Sequence, residues 1–239
     1  EDVVGGFGCQ EPSARDLRWL RHPNWAGILD AGVCGENAWF QTMRYVAGQG
    51  LDTLTGPQPP ELVWRFLEDG ARALRAFHNR GLIHYDVKPG NFLLEESDEG
   101  PRFVLTDGGL THRGPLRGVA RGTPLYMAPE TTEDRAHDHR ADLYALGLIA
   151  FRLATGRDAY EGTPGEILRR RRRETARRTT EIRPKLPRAL DDLIAELLSR
   201  RPEDRPADGG ALLRRIAALS GRGVREWLPE EAFAAADGG

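Results

Sequence analysis

The sequence predicts a two-lobed α+β fold, with a small, β-rich N-terminal lobe and a mostly helical C-terminal one. Three observations predict it. Short strand-like apolar runs fall before residue 47, and apolar residues recur at helical spacing from Glu61 onward. A Gly/Pro-rich passage, residues 48–60, separates the two patterns. The 239 residues are enough for two small lobes that share an interface and bury a core.

Composition excludes several classes. A net charge of −2 is too small to require nucleic acid as a partner. Cys9 and Cys34 have no metal-ligand spacing, and so few cysteines favour a reducing, cytoplasmic compartment. The most apolar segment, residues 143–154, is interrupted by Arg152 and falls short of the roughly 20 residues a bilayer span needs, so it is expected to be a buried helix. The first residue is Glu1 and not Met, which raises the expectation of a fragment of a longer chain.

In chain order, the N-terminal part begins with a Gly-rich opening at residues 3–8, a short helix over residues 13–21, and two strands over residues 26–29 and 39–46. After the boundary passage, Leu62, Phe66, Ala73, Leu74 and Phe77 share one helix face, and Gly81 is its stop. Residues 92–94 and 103–105 are apolar runs joined by a polar stretch, the pattern of a hairpin. Thr163, Pro164 and Glu166 form a helix start with a capping glutamate. Leu190, Leu193, Ile194, Leu197 and Leu198 form one core-facing stripe, and Leu212, Leu213, Ile216 and Leu219 another before Gly221.

Between the helix that stops at Gly81 and the hairpin lies His84-Tyr85-Asp86-Val87-Lys88-Pro89-Gly90-Asn91. The chain carries its positive charge almost entirely on arginine, with lysine only at Lys88 and Lys185. A mobile ammonium at position 88 is the tool for a phosphate, whereas its bland alternative is a stray surface lysine. Asp86 or Asn91 alone would be a turn residue bonding its own backbone. Thr106-Asp107-Gly108-Gly109 follows the hairpin, and then comes Gly122-Thr123-Pro124-Leu125-Tyr126-Met127-Ala128-Pro129-Glu130.

In this order and spacing, His-x-Asp-x-Lys-Pro-x-Asn, Asp-x-Gly and Ala-Pro-Glu resemble the eukaryotic-like, bacterial-type Ser/Thr protein kinases. The resemblance implies a protein-kinase-like fold, ATP and Mg2+ as cofactors, and a protein substrate with a Ser/Thr acceptor. It casts Asp86 and Lys88 as catalytic, the first toward the acceptor hydroxyl and the second toward the γ-phosphate, with Asn91 and Asp107 as metal ligands. It places Met43 at the back of the adenine site, Arg44 to Val46 along the hinge, and Leu93 on the pocket floor. Thr123 helps seat the acceptor, Asp142 caps amides of the loop, and Glu130 pairs with Arg205. His84 is read as a packed structural residue. The implied organisation is a partial N-lobe through the hinge at residues 1–47, a C-lobe at 48–221, and a tail at 222–239.

The sequence departs from the family pattern in three places. It has no Gly-rich loop followed by a strand lysine: Gly5 to Gly8 come too late for the loop, and no lysine precedes Lys88. The helix glutamate that would pair with that lysine falls near Ser13, with Glu11 the nearest acid. The expectation is therefore a truncated N-lobe, a chain inactive by itself that binds Mg-ATP weakly, and an active parent. Gly108 stands where the family has a phenylalanine, which predicts a looser loop. Tyr85 stands where most members have an arginine that receives an activating phosphate. Between Gly109 and Gly122 the only hydroxyl is that of Thr111, beside Arg113, Arg117 and Arg121.

The run from Arg169 to Arg173 is read as the solvated face of a helix, with an acidic docking partner as the sharper alternative. Two other functions compete with the enzyme: a catalytically silent pseudokinase scaffold, and a small-molecule phosphotransferase of the aminoglycoside type, against which the segment from Gly122 to Glu130 argues.

Overall fold

The computed structural model describes residues 17–34, 38–97, 100–117, 122–133 and 136–221. The Gly5 to Gly8 cluster, Cys9, Glu11, Ser13, Arg121, the tail and the first four residues of the helix expected over residues 13–21 lie outside them.

The N-terminal part is an antiparallel pair, β1 (Ile28–Cys34) and β2 (Ala38–Met43), with Ile28 opposite Met43 and an irregularity between Ile28 and Asp30. The strand expected over residues 26–29 is displaced toward the C-terminus for a definite reason. Ala26 uses its backbone elsewhere, donating to the Leu105 carbonyl (2.9 Å) and accepting from the Arg44 amide (3.1 Å). Gly27, in the left-handed region at φ 68°, then turns the chain into β1. The second strand was expected to reach Val46 but ends at Met43, and residues 44–47 run on as an irregular connection.

A three-stranded sheet follows, in the order β3-β5-β6, from Gly48–Gly50, Phe92–Ser97 and Gly100–Leu105. The β5–β6 hairpin runs in register from Phe92 opposite Leu105 to Ser97 opposite Gly100. β3 was not anticipated, because its glycines read as boundary. They make the pairing possible: a Cβ on Gly48 would lie 2.3 Å from the Leu94 carbonyl oxygen. Asn24 ties the N-terminal part to this sheet through its side chain, which donates to the Phe103 carbonyl (3.0 Å).

α1 (Pro60–His78) buries Phe66, Ala73, Leu74 and Phe77, and Phe66 meets Phe92 and Phe103 edge-on at 5.1 and 5.3 Å. Its buried Asp69 accepts the Phe103 amide (2.9 Å), which locks the helix to the hairpin. β4 (Leu82–Ile83) pairs with β7 (His112–Arg113), and β8 (Leu116–Arg117) with β9 (Ala136–His137). α2 (Arg140–Thr155) is buried along nearly its whole length and contains the apolar segment.

α3 (Pro164–Arg173) starts with the expected capping box at Thr163 and Glu166. The short α4 (Thr179–Ile182) was not anticipated. Its first turn is fixed by Asp191 of α5 (Arg188–Leu197), which accepts the Thr179 amide and hydroxyl at 2.8 and 2.7 Å. α6 (Gly209–Ser220) closes the fold, burying Leu212, Leu213 and Ile216. Among the described residues no helix is long and apolar enough to cross a membrane.

Candidate active site

The loop after β4 is anchored from below. Asp142, in the first turn of α2, accepts the amides of His84 and Tyr85 at 2.9 Å each, and His78 approaches the same carboxylate at 3.1 Å. Tyr85 has φ 64°, an uncommon conformation for a bulky residue, and the Asp142 bond holds it there. Its ring is buried edge-on against His137 (5.5 Å). His84 is fully buried beside Phe77 (5.3 Å) and Trp25 (6.3 Å). Burial lowers the pKa of its imidazole, so the ring is neutral and its Nδ1 accepts the Asp86 amide (3.3 Å).

Asp86 is the hub of the site. One carboxylate oxygen receives the Lys88 ammonium (2.6 Å) and the Asn91 amide (3.2 Å), and the other receives the amide (3.1 Å) and hydroxyl (2.8 Å) of Thr123. Burial alone would raise its pKa, but the bonds from Lys88 and Thr123 outweigh burial and hold it below the usual carboxylate value.

Asn91 also donates to the Asp86 carbonyl (2.8 Å), which uses its NH2 and leaves its amide oxygen as an acceptor. Thr106 donates its amide (2.8 Å) and hydroxyl (3.2 Å) to the Asn91 carbonyl, which ties the residue before Asp107 to Asn91. Asp107, at φ 53°, gives one oxygen to the Gly109 amide (3.0 Å). An amide oxygen and a carboxylate together fit magnesium, which binds through one or two protein oxygens and takes the rest from phosphate and water. Among the described residues no cluster of three or more His, Cys, Asp or Glu could hold a metal by itself.

Met43, Val46 and Leu93 come together with Ala26 and Val104 in one apolar cluster. Arg44 lies at its edge, its guanidinium on Glu95 (3.2 Å). The Arg44 amide is committed to the Ala26 carbonyl (3.1 Å).

Gly108, where the sequence predicts a looser loop, is closely packed. Gly108 is buried, and a Cβ on it would lie 2.3 Å from Leu17 Cδ1 and 3.2 Å from the Trp25 ring. Leu17 and Trp25, both buried, pack where a ring from position 108 would point. The looser loop expected from the sequence is thus replaced by packing from the N-terminal part.

Glu130 and Arg205 form a buried two-pronged pair at 2.6 and 2.8 Å, with the guanidinium also over the Tyr144 ring (4.7 Å). The arginine run is not a uniformly solvated face. Arg169, Arg170, Arg172 and Arg173 are exposed, but Arg171 is buried beneath residues 124–127. Sequence reading missed Arg171 because it sat among identical neighbours. The available signal was its i+4 spacing from Ile167, the one apolar residue of that helix that is fully buried. The grip of Thr123 on Asp86 and the packing of Trp25 on Gly108 were also missed, since neither has a local sequence signature.

The family described as protein kinase domain matches residues 17–214. The serine/threonine-protein kinase pkn3 of Myxococcus xanthus is 35% identical over 84% of this chain and 40% of its own length. The DNA damage-responsive serine/threonine-protein kinase RqkA of Deinococcus radiodurans is 36% identical over 83% of this chain and 31% of its own. The serine/threonine-protein kinase PknK of Mycobacterium tuberculosis is 36% identical over 88% of this chain and 20% of its own. The chain thus spans less than half the length of these relatives.

Proposed function

The chain belongs to the protein kinase family, and from that premise we propose that it is the catalytic domain of a cytoplasmic Ser/Thr protein kinase that moves the γ-phosphate of ATP to a protein hydroxyl. The observation that supports this best is the Asp86 carboxylate, held at once by Lys88, Asn91 and Thr123, with the residue before Asp107 tied to Asn91. Phosphoryl transfer asks a protein mainly for positioning and charge neutralisation, and this group of residues offers both.

In this reading Asp86 orients the acceptor hydroxyl and takes its proton as its oxygen bonds to the γ-phosphorus and the bond to the β,γ-bridging oxygen breaks, releasing ADP. Lys88 leaves Asp86 for the γ-phosphate when nucleotide enters. Asn91 and Asp107 would hold magnesium, which would supply neutralisation of the phosphate charge. Met43, Val46 and Leu93 enclose the adenine, which bonds backbone groups near Arg44 and Val46. Glu130, Arg205 and Asp142 keep the surrounding segments in place. The exposed Arg169, Arg172 and Arg173 offer a surface to an acidic partner.

A pseudokinase scaffold, which binds partners through the kinase fold, is the second reading. Asp86→Asn in the full-length protein separates the two. With a mixture of Ser/Thr peptides, transfer falls by about 10² or more because a positioned base is lost, while Mg-ATP affinity stays within about twofold. A variant as fast as the wild type, or a wild type with no transfer at all, overturns the assignment.

A further inference from the structure

The residue that α3 sends inward has a role that neither its charge run nor the motifs describe. Arg171 Nη1 donates to the carbonyls of Pro124 (3.2 Å) and Met127 (2.9 Å), and its Nη2 donates to that of Leu125. Three carbonyls from four consecutive residues therefore converge on one cation. Parallel carbonyl dipoles repel each other, and a planar guanidinium with several N–H groups is the side chain suited to gather them.

The site has an uncommon charge balance. Arg171 is buried, and among the described residues no carboxylate pairs with it; the Tyr160 ring lies 5.5 Å from its guanidinium carbon. An unpaired buried charge is costly, so the carbonyls and the ring are what make the cation tolerable. The dependence is mutual, because without the cation the turn loses the group that collects its carbonyls. Asp158 is in direct contact with Arg152 (3.3 Å) and acts on Arg171 only from a distance, so Arg171 lies under the turn without a carboxylate in contact. The turn is also tied to the chemistry. Its first member, Thr123, accepts the Tyr126 amide (2.8 Å) and binds Asp86. With the carbonyls drawn inward, the Leu125 side chain is left 42% exposed.

We propose that Arg171 is the positioning residue that shapes residues 124–127 as the shelf for the peptide residue following the acceptor hydroxyl, and that its charge selects against a basic side chain there. This rests on the protein kinase reading above. A lysine or arginine on the shelf would face a like charge across little screening solvent, whereas an apolar or acidic residue would rest on Leu125 or be attracted.

The test uses the full-length protein, Mg-ATP and Ser/Thr peptides that differ only in the residue after the acceptor: Leu, Glu or Arg. The wild type should show a kcat/KM for the Arg peptide at least tenfold below the other two. Arg171→Met should raise the KM for the Leu peptide about tenfold or more, leave the KM for ATP within twofold, and reduce discrimination against Arg to threefold or less. Arg171→Lys keeps the charge without the fork, so discrimination should survive while the peptide KM rises. If Arg171→Met does not fold, as judged by circular dichroism, the Lys variant and the wild-type preference decide the matter. An active wild type that accepts the Arg peptide as well as the others overturns the inference alone, as does a folded Arg171→Met variant with unchanged peptide KM. A wild type that binds Mg-ATP but transfers to no peptide overturns the kinase reading, and this inference with it.

Discussion

Thr123 donates both its amide and its hydroxyl, at 3.1 and 2.8 Å, to one oxygen of the Asp86 carboxylate. The two residues are 37 positions apart, so this contact makes the loop from His84 to Asn91 depend on the segment from Gly122 to Glu130. A hydrogen bond to a charged group contributes about 1.5–3 kcal/mol, which in a transition state is roughly 10- to 100-fold in rate. Thr123→Ala should therefore lower kcat/KM by that factor in the full-length protein, with Mg-ATP affinity unchanged. Thr123→Ser should recover to within a few-fold. Equal loss in both variants would show that the threonine methyl, not its hydroxyl, matters.

The same bonds set the direction of a pH effect. Burial disfavours the charged form of Asp86, but Lys88 and Thr123 more than offset it, so the folded pKa lies below the unfolded one. For a depressed carboxylate the associated stability is present above the unfolded pKa, about 3.9, and is lost as pH falls toward the folded value. The base is accordingly ionised across the neutral range. Thr123→Ala removes one supporting bond, so the acid limb of its pH–rate profile should move to higher pH. A limb that stays in place or moves down would contradict the assignment of Asp86 as the base.

At Gly108 the expectation concerns packing. Gly108→Ala puts a Cβ 2.3 Å from Leu17 Cδ1, and overpacking of this kind costs about 1–3 kcal/mol. For a chain of this size each kcal/mol lowers Tm by about 2–4 °C. Leu17→Ala leaves a cavity instead, at about 2–5 kcal/mol. The two defects are complementary, so the variant that combines Leu17→Ala with Gly108→Phe should be more stable than the separate losses of Leu17→Ala and Gly108→Phe add up to. Strict additivity in thermal melts would show that Leu17 does not occupy the space of the missing ring.

The helices and the β5–β6 hairpin were legible because apolar spacing records which face meets the core: Leu190, Leu193, Ile194 and Leu197 all point inward. The loop from His84 to Asn91 was legible through residue types whose chemistry has few substitutes. What stayed hidden depends on contacts distant in sequence. β3, two glycines around Gln49, pairs only because Leu94 passes close by, and Ala26 leaves its expected strand because Leu105 takes its amide. Arg171 looks like its neighbours until the helix turns it toward the carbonyls of residues 124–127. The ring that family members place at position 108 gives way to Leu17 and Trp25, about which Gly108 by itself says nothing.

The last prediction concerns the one hydroxyl between Gly109 and Gly122. Thr111 is 4% exposed, its amide donates to the Gly108 carbonyl (3.0 Å), and its hydroxyl has no hydrogen-bond partner among the described residues. A modifying enzyme would have to pull it out of its packing. The usual receiver of an activating phosphate is also absent, since position 85 holds a tyrosine buried against His137. Arg113 is engaged with the Arg80 carbonyl (3.0 Å). Thr111→Val exchanges an unpartnered buried hydroxyl for a methyl of similar shape. It should leave transfer in the full-length protein within about threefold, less than 1 kcal/mol in the barrier, and hold or raise stability by about 1 kcal/mol. Phosphatase treatment followed by a rate assay checks the same point without mutation, and activity should not change. A drop beyond tenfold, absent from the Thr111→Val variant, would show that Thr111 leaves its buried position to be phosphorylated and that an arginine other than one at position 85 receives it.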